Sequence, residues 1–192
     1  MAEVLLFHHA QGQTPGFISF ADQLRRAGHT VHTPDVYDGN VFETLDDGLA
    51  FAGEVGFEQI VERGVRAAGD LPSDVVYAGF SLGVMAAQQL AQTRAGARGA
   101  VFLESCLPAA EFGGWPSGVP VQVHGMDHDP FFAEEGDIDA ARALVAEAED
   151  GELFVYPGNV HLFTDSSLAS YDPAATALVT DRVLAFLTRI DG

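Results

Sequence analysis

The sequence predicts an α/β protein, a parallel β-sheet with helices on both faces, and three observations carry that prediction. Short apolar runs of strand length alternate along the chain with longer segments of helical periodicity, the pattern of strands joined by crossover helices. One strand runs straight into Gly79-Phe80-Ser81-Leu82-Gly83 and then into a helix-forming stretch. This is G-x-S-x-G in the strand–turn–helix setting where the motif carries chemistry. The 192 residues are 47% apolar, enough for a proper core in a single domain over residues 1–192, and no linker, repeat or low-complexity stretch divides them.

The elements follow in chain order. Val4–His8 is read as the first strand, because Met1-Ala2-Glu3 offers neither a basic leader nor a small-residue cleavage site. A helix near Gly16–Ala27 leads to a second strand at Thr30–Thr33. Asp35–Gly56 is acidic and contains glycine, and is expected to be a loop or irregular helix over one edge of the site. A helix at Phe57–Ala68 precedes the third strand, Asp74–Ala78, which is apolar and β-branched. The elbow helix covers Leu82–Gln92, and further strands fall at Ala100–Leu103, Val119–His124 and Glu152–Tyr156. Between the last two lies a helix over Ile138–Ala148, with Asp137 as its expected N-cap. The final helix is Pro173–Ile190: Asp172 precedes a proline at the first helical position, and Val179, Val183, Phe186, Leu187 and Ile190 form one apolar stripe.

The elbow turn is tight, so the residues two before and two after Ser81 must be small, and both are glycine. The turn leaves Ser81 at a helix N-terminus, where free N–H groups favour a developing negative charge. A serine hydroxyl needs a base to become a nucleophile, and the base needs a carboxylate to hold its tautomer. Ligands of open α/β sheets bind beyond the carboxyl ends of the strands, so the partners are sought there. The fifth strand is followed by Asp127-His128-Asp129 and the sixth by His161. Ser81, an aspartate at 127 or 129, and His161 thus stand in the order Ser–Asp–His that elbow enzymes use. Of the two aspartates, Asp129 is preferred because Pro130 imposes a rigid turn directly after it. The backbone N–H groups of Leu82 and Ala10, the latter in the loop after the first strand, are the candidates for an oxyanion hole.

Other residues stand near these in the sequence. His124 and His128 are four apart, a ligand spacing on a helix, but the segment is a strand end and glycine turn, so no metal is expected. Cys106 follows the fourth strand and reads as a small pocket residue rather than a second nucleophile. Phe131, Phe132, Trp115 and Phe163 are either walls of a substrate cleft or ordinary packing. The lone cysteine excludes an internal disulfide and fits a reducing cytoplasm. The formal charge is −19, with nine arginines and no lysine; such a surface repels phosphate backbones, making nucleic acid and anionic lipid poor partners. No apolar run approaches the ~18 residues of a membrane span. The acidity fits adaptation to high salt and a codon bias toward arginine equally well.

Taken together, His8-His9-Ala10-Gln11-Gly12, the segment Gly28 to Tyr37, the elbow, Asp129-Pro130-Phe131 and His161-Leu162-Phe163 resemble the dienelactone hydrolase family of α/β-hydrolases over nearly the whole chain. The resemblance implies a minimal, lid-poor hydrolase with about six parallel strands in the order 2-1-3-4-5-6, acting on a small ester or lactone without a cofactor. It also marks departures. The family's nucleophile is cysteine where this chain has Ser81. A glutamate that contacts the nucleophile is replaced by His9. A substrate-gripping arginine four residues beyond the catalytic histidine is replaced by Asp165. A second such arginine has no counterpart, since residues 36 to 56 contain no basic side chain. Family substrates bearing a carboxylate are therefore not expected, and acidic walls are. A flavodoxin-like binding module would share the alternating pattern, but His8–Gly12 lacks the Ser/Thr-rich phosphate loop. A catalytically inactive homologue would share the fold without the intact set of three.

Overall fold

The computed structural model describes residues 1–191. Among them are six strands, all parallel, in one sheet of order β2-β1-β3-β4-β5-β6, and six α-helices. The strands are β1 (Glu3–Phe7), β2 (Thr30–His32), β3 (Val76–Phe80), β4 (Gly99–Leu103), β5 (Val121–Met126) and β6 (Gly151–Tyr156). The helices are α1 (Pro15–Arg26), α2 (Leu45–Val55), α3 (Phe57–Ala67), α4 (Gly83–Thr93), α5 (Asp137–Glu147) and α6 (Pro173–Ile190), with a short 3₁₀ turn at Ala109–Phe112. The order matches the sequence expectation.

Alternation along the strands builds two cores. Val4 and Leu6 of β1, Val76, Ala78 and Phe80 of β3, and Val101 and Leu103 of β4 face α1 and α6, meeting Phe17, Phe20, Val183 and Phe186. The intervening Leu5, Phe7, Tyr77 and Phe102, with Val121 and Val123 of β5, face the other way onto Ile60, Val84, Leu90, Ala141 and Leu144. β3, β4 and β5 are buried along their whole length, as expected of a parallel sheet covered on both faces. The stripe on α6 is buried at Val179, Val183, Phe186 and Leu187 and half-buried at Ile190. Asp172 caps this helix by accepting from the N–H groups of Ala174 and Ala175.

Three expectations are corrected. Asp35–Gly56 is not all irregular: Leu45–Val55 is a regular helix, capped by the Thr44 hydroxyl accepting from Asp47 N–H, with Asp46 and Asp47 in its first turn. It is anchored through Phe51, whose ring packs edge-on against Tyr37 at 4.9 Å. Asp137 does not cap α5; Gly136 does, with φ 103°, because the Asp137 carboxylate is already accepting from Ser105 Oγ (2.7 Å) and Cys106 N–H (3.1 Å). Strands β3 and β5 lie about two residues later than expected, since pairing with β4 carries β3 on through Phe80, opposite Leu103.

That later register puts Gly79 inside the strand and Ser81 at its very end. A Cβ on Gly79 would lie 2.5 Å from the backbone of Gly83, and one on Gly83 would lie 2.6 Å from the carbonyl oxygens of Phe7 and His8. The strand, the elbow and the loop after β1 thus touch backbone to backbone, and only glycine permits it. We expect Gly79→Ala to destabilise the protein by about 1–3 kcal/mol through overpacking against a backbone that cannot step aside. Urea denaturation of the two proteins measures the difference.

Candidate active site

The loops after β1, β3, β4, β5 and β6 open on the same edge of the sheet, and the candidate residues gather there. Ser81 adopts a left-handed backbone, φ 48°, with its N–H donating to Leu103 O at 2.7 Å. Its Oγ lies 2.8 Å from His161 Nε2. On the far side of the ring, His161 Nδ1 lies 2.7 Å from Asp129 Oδ2. Asp129 is fully buried, and its other oxygen accepts from the N–H groups of Phe131 (2.9 Å) and Phe132 (3.3 Å), so the carboxylate is aimed before the histidine meets it. Asp127, the other aspartate considered, lies on the surface with His128 and Gly158 N–H. Burial would lower the His161 pKa, but the hydrogen bond to Asp129 and the charges of Glu104, Asp129 and Asp137 together raise it.

Leu82 precedes the first turn of α4, and no side chain caps that helix. Among the described residues neither Leu82 N–H nor Ala10 N–H donates to an acceptor. Ala10 is held from behind by α2: a Cβ on Gly48 would sit 2.0 Å from Ala10 O.

Around Ser81 and His161 is an open cleft of about 210 Å³, lined by Leu49, Leu82, Met85, Leu107 and Phe131 and by three carboxyl groups, Glu104, Glu135 and Asp137. The Phe131 ring stands 4.6 Å from that of His161. Glu104 carries no motif; its signal in the sequence is its place directly after a strand's carboxyl end. It is fully buried, and burial, strengthened by the Asp129 charge and opposed by His161 and Thr164, pushes its carboxyl up to about 7.

Several expected pocket residues lie behind the cleft rather than in it. Cys106 is buried, its Sγ 3.6 Å from Leu107 O, and burial pushes its thiol far above the ordinary range. Phe163 is buried in the α1/α6 core against Tyr156. Phe132 and Trp115 belong to the opposite core. None of Arg63, Arg66 and Arg142 reaches the cleft: Arg63 holds Val36 O and Asp38, Arg66 pairs with Glu62 and Arg142 with Asp139. His124 lies between Tyr156 Oη and Gln122, and the described residues hold no group of three or more potential metal ligands.

His9 and Asp165 are also withdrawn from the cleft, and for one reason: they bind each other. His9 Nε2 donates to Asp165 Oδ2 at 2.8 Å while its Nδ1 accepts from Gln11 N–H. Asp165 accepts further from the Thr14 hydroxyl and from Ser167 N–H (2.8 Å) and Oγ (2.6 Å). The expectation that Asp165 forms an acidic wall is therefore wrong. A buried carboxylate facing a buried imidazole turns inward to satisfy both, and the cleft takes its acidity from Glu104, Glu135 and Asp137 instead.

Six parallel strands in this order, with the glycine-flanked Ser81 turn at the carboxyl edge, define an α/β-hydrolase fold. Within that class the chain belongs to the dienelactone hydrolase family, whose family model matches residues 1–191, and this membership marks it as a hydrolase. The fold is similar to that of the dienelactone hydrolase-like promiscuous phosphotriesterase P91 from metagenomic libraries: 20% identity, TM-score 0.74, covering 99% of this chain and 87% of that one. It is also similar to Thermogutta terrifontis esterase 2 phosphonylated by cyclosarin: 16% identity, TM-score 0.74, 98% of this chain and 83% of that one. At such identities the likeness speaks for the fold alone. No curated protein matches the chain. No described helix is long and apolar enough to cross a membrane.

The Asp165 cluster yields a pH prediction. Burial would raise this carboxyl, but the hydrogen bonds from His9, Ser167 and Thr14 outweigh it and hold it at about 2, below its ordinary 3.8. A depressed carboxylate stabilises the fold fully above its unfolded pKa and loses that contribution as pH falls through the folded one. Asp165→Asn is expected to cost about 2 kcal/mol at pH 7. The difference between the two proteins should hold down to about pH 4 and shrink towards pH 2. Urea denaturation at a series of pH values checks it.

Proposed function

We propose that the protein is a serine hydrolase that cleaves carboxylic esters, thioesters or lactones through an acyl-enzyme. The observation that carries this reading is the unbroken hydrogen-bonded line from Ser81 Oγ through His161 to Asp129, at 2.8 and 2.7 Å. With Nδ1–H given to Asp129, the free Nε2 is the atom that accepts the Ser81 proton as Oγ attacks the carbonyl carbon. Asp129 holds the tautomer and steadies the imidazolium. The carbonyl oxygen becomes an alkoxide between the N–H groups of Leu82 and Ala10, with the N-terminus of α4 behind it. His161 then returns the proton to the departing alcohol or thiol, and in a second half-reaction takes one from the water that releases the acid. No step requires a metal or cofactor. The buried, unpaired Cys106 fits an enzyme working in the cytoplasm.

The cleft also supports a substrate class. It holds three carboxyl groups and no arginine, so an anionic substrate meets repulsion and no bidentate partner. Its modest volume suits short acyl groups. A second cleft of about 420 Å³ adjoins it through Met85 and Leu107, and this too carries glutamates, Glu58, Glu62 and Glu111. We assign neutral short-chain esters or lactones as substrates, in preference to those bearing a free carboxylate.

Two experiments test the reading. An esterase of similar fold is known phosphonylated by cyclosarin, so a fluorophosphonate probe is the natural reagent. The parent protein should be labelled and Ser81→Ala should not, while the variant loses several orders of magnitude in p-nitrophenyl ester turnover. Equal turnover by the two proteins overturns the mechanism. For the substrate class, kcat/KM is compared for a matched ester pair differing only in a free carboxylate. The neutral member should be the better substrate, and a clear preference for the anionic one overturns the assignment.

A further inference from the structure

Glu104 has features that packing does not explain. It is the first residue after β4, the strand that lies between the elbow strand β3 and β5, the strand leading to Asp129. Its N–H donates to His124 O at 2.7 Å, while Leu103 O, one residue back, accepts from Ser81 N–H. The carboxyl group is therefore fixed at the sheet edge between the nucleophile and the triad acid, and it lines the same cleft as Ser81 and His161. Oε1 accepts from Thr164 Oγ1 (2.8 Å) and Thr164 N–H (3.2 Å). Oε2 has no hydrogen-bond partner among the described residues.

Two points separate this residue from a structural acceptor. Thr164 needs only an oxygen, which a glutamine amide supplies without burying an ionisable group, so a carboxyl is retained at an energetic disadvantage. The backbone is also strained. Among the described residues four non-glycine positions have positive φ, and three of them are Ser81 (48°), Glu104 (64°) and Leu162 (58°), the last adjacent to His161. Left-handed non-glycine residues persist where surrounding structure forces them, and they gather at functional sites.

We propose that Glu104 is a positioning residue for His161, a second carboxylate that in its ionised form holds the imidazolium created when Ser81 gives up its proton. It acts through the histidine and does not touch the substrate. The balance is simple: Glu104 releases its own proton to solvent, and the Ser81 proton moves to His161 Nε2. The groups that bear on His161 are Asp129 after β5, Glu104 after β4, Asp137 at the start of α5 and Ser81 at the elbow, with Glu135 further along the cleft. Glu104 is poised to change charge near neutrality, at about 7. The neutral-to-ionised step of Glu104 and the charging of His161 then favour each other across the physiological range.

The proposal rests on the hydrolase reading for its kinetic consequence but can be tested apart from it. NMR of the histidine-labelled protein, with His161 assigned by loss of its signal in His161→Gln, reads the titration whether or not any ester is turned over. Glu104→Gln should lower the His161 titration midpoint. It should also reduce kcat by about tenfold at neutral pH with KM changed less than about twofold. An unchanged or raised midpoint overturns the proposal, as does a rise in KM with kcat intact, which would make Glu104 a substrate contact. If Glu104→Gln does not fold, the parent protein decides. Its Glu104 carboxyl carbon should titrate near neutrality and its His161 ring should respond in the same step; a His161 curve indifferent to Glu104 overturns the idea.

Discussion

The site depends on the parallel register of the sheet. Because all six strands run the same way, the segments after β1, β3, β4, β5 and β6 emerge on one edge, and each brings one component: Ala10, Ser81, Glu104, Asp129 and His161. The pairing of Phe80 with Leu103, and of Leu103 with His124, sets how far each strand reaches before it turns. A slip of one residue in a strand reverses which face every side chain occupies, so it would exchange the residues of one core for those of the other along the elbow strand. The continuous burial of β3, β4 and β5 makes such a slip costly, and the geometry of the site is inherited from that cost.

Much of this was legible in the sequence, and the boundary of legibility has a physical character. Ser81, Asp129 and His161 could be read because each sits in a local signature at a strand end: a glycine-flanked elbow, an Asp-Pro turn, a histidine after the last strand. The capping pair Asp172–Pro173 was legible for the same reason. Residues whose role is set by direction rather than position were not. Cys106 and Phe163 each lie two positions beyond a site residue, yet both turn into the core, because a loop leaving a sheet edge points successive side chains to different sides. Helix α2 was obscured by Gly48 and Gly53, which weaken its periodic pattern. Gly48 is there because the loop bearing Ala10 presses against it.

The pairing of His9 with Asp165 shows the limit most clearly. The two are 156 residues apart, and read separately each is a loss from the family pattern: a glutamate gone after the first strand, an arginine gone four residues after His161. In the folded protein they are a single change. A base stands where the family has an acid and an acid where it has a base, and in this chain the two hydrogen-bond each other. Thr14 and Ser167 then close the cluster from the same two loops, so the carboxylate is fully engaged inside the fold and unavailable to a ligand.

The three strained positions at Ser81, Glu104 and Leu162 have a consequence for evolvability. Each left-handed non-glycine residue carries on the order of 1–3 kcal/mol of conformational penalty, a large share of the margin by which a domain of this size stays folded. Glycine at Ser81 would relax the backbone there, whereas at the buried Glu104 and Leu162 the lost contacts offset the relief. Selection for thermal endurance alone would therefore erode the elbow first. A homologue of unusual robustness in which the elbow is relaxed is one where pressure on that position has lapsed.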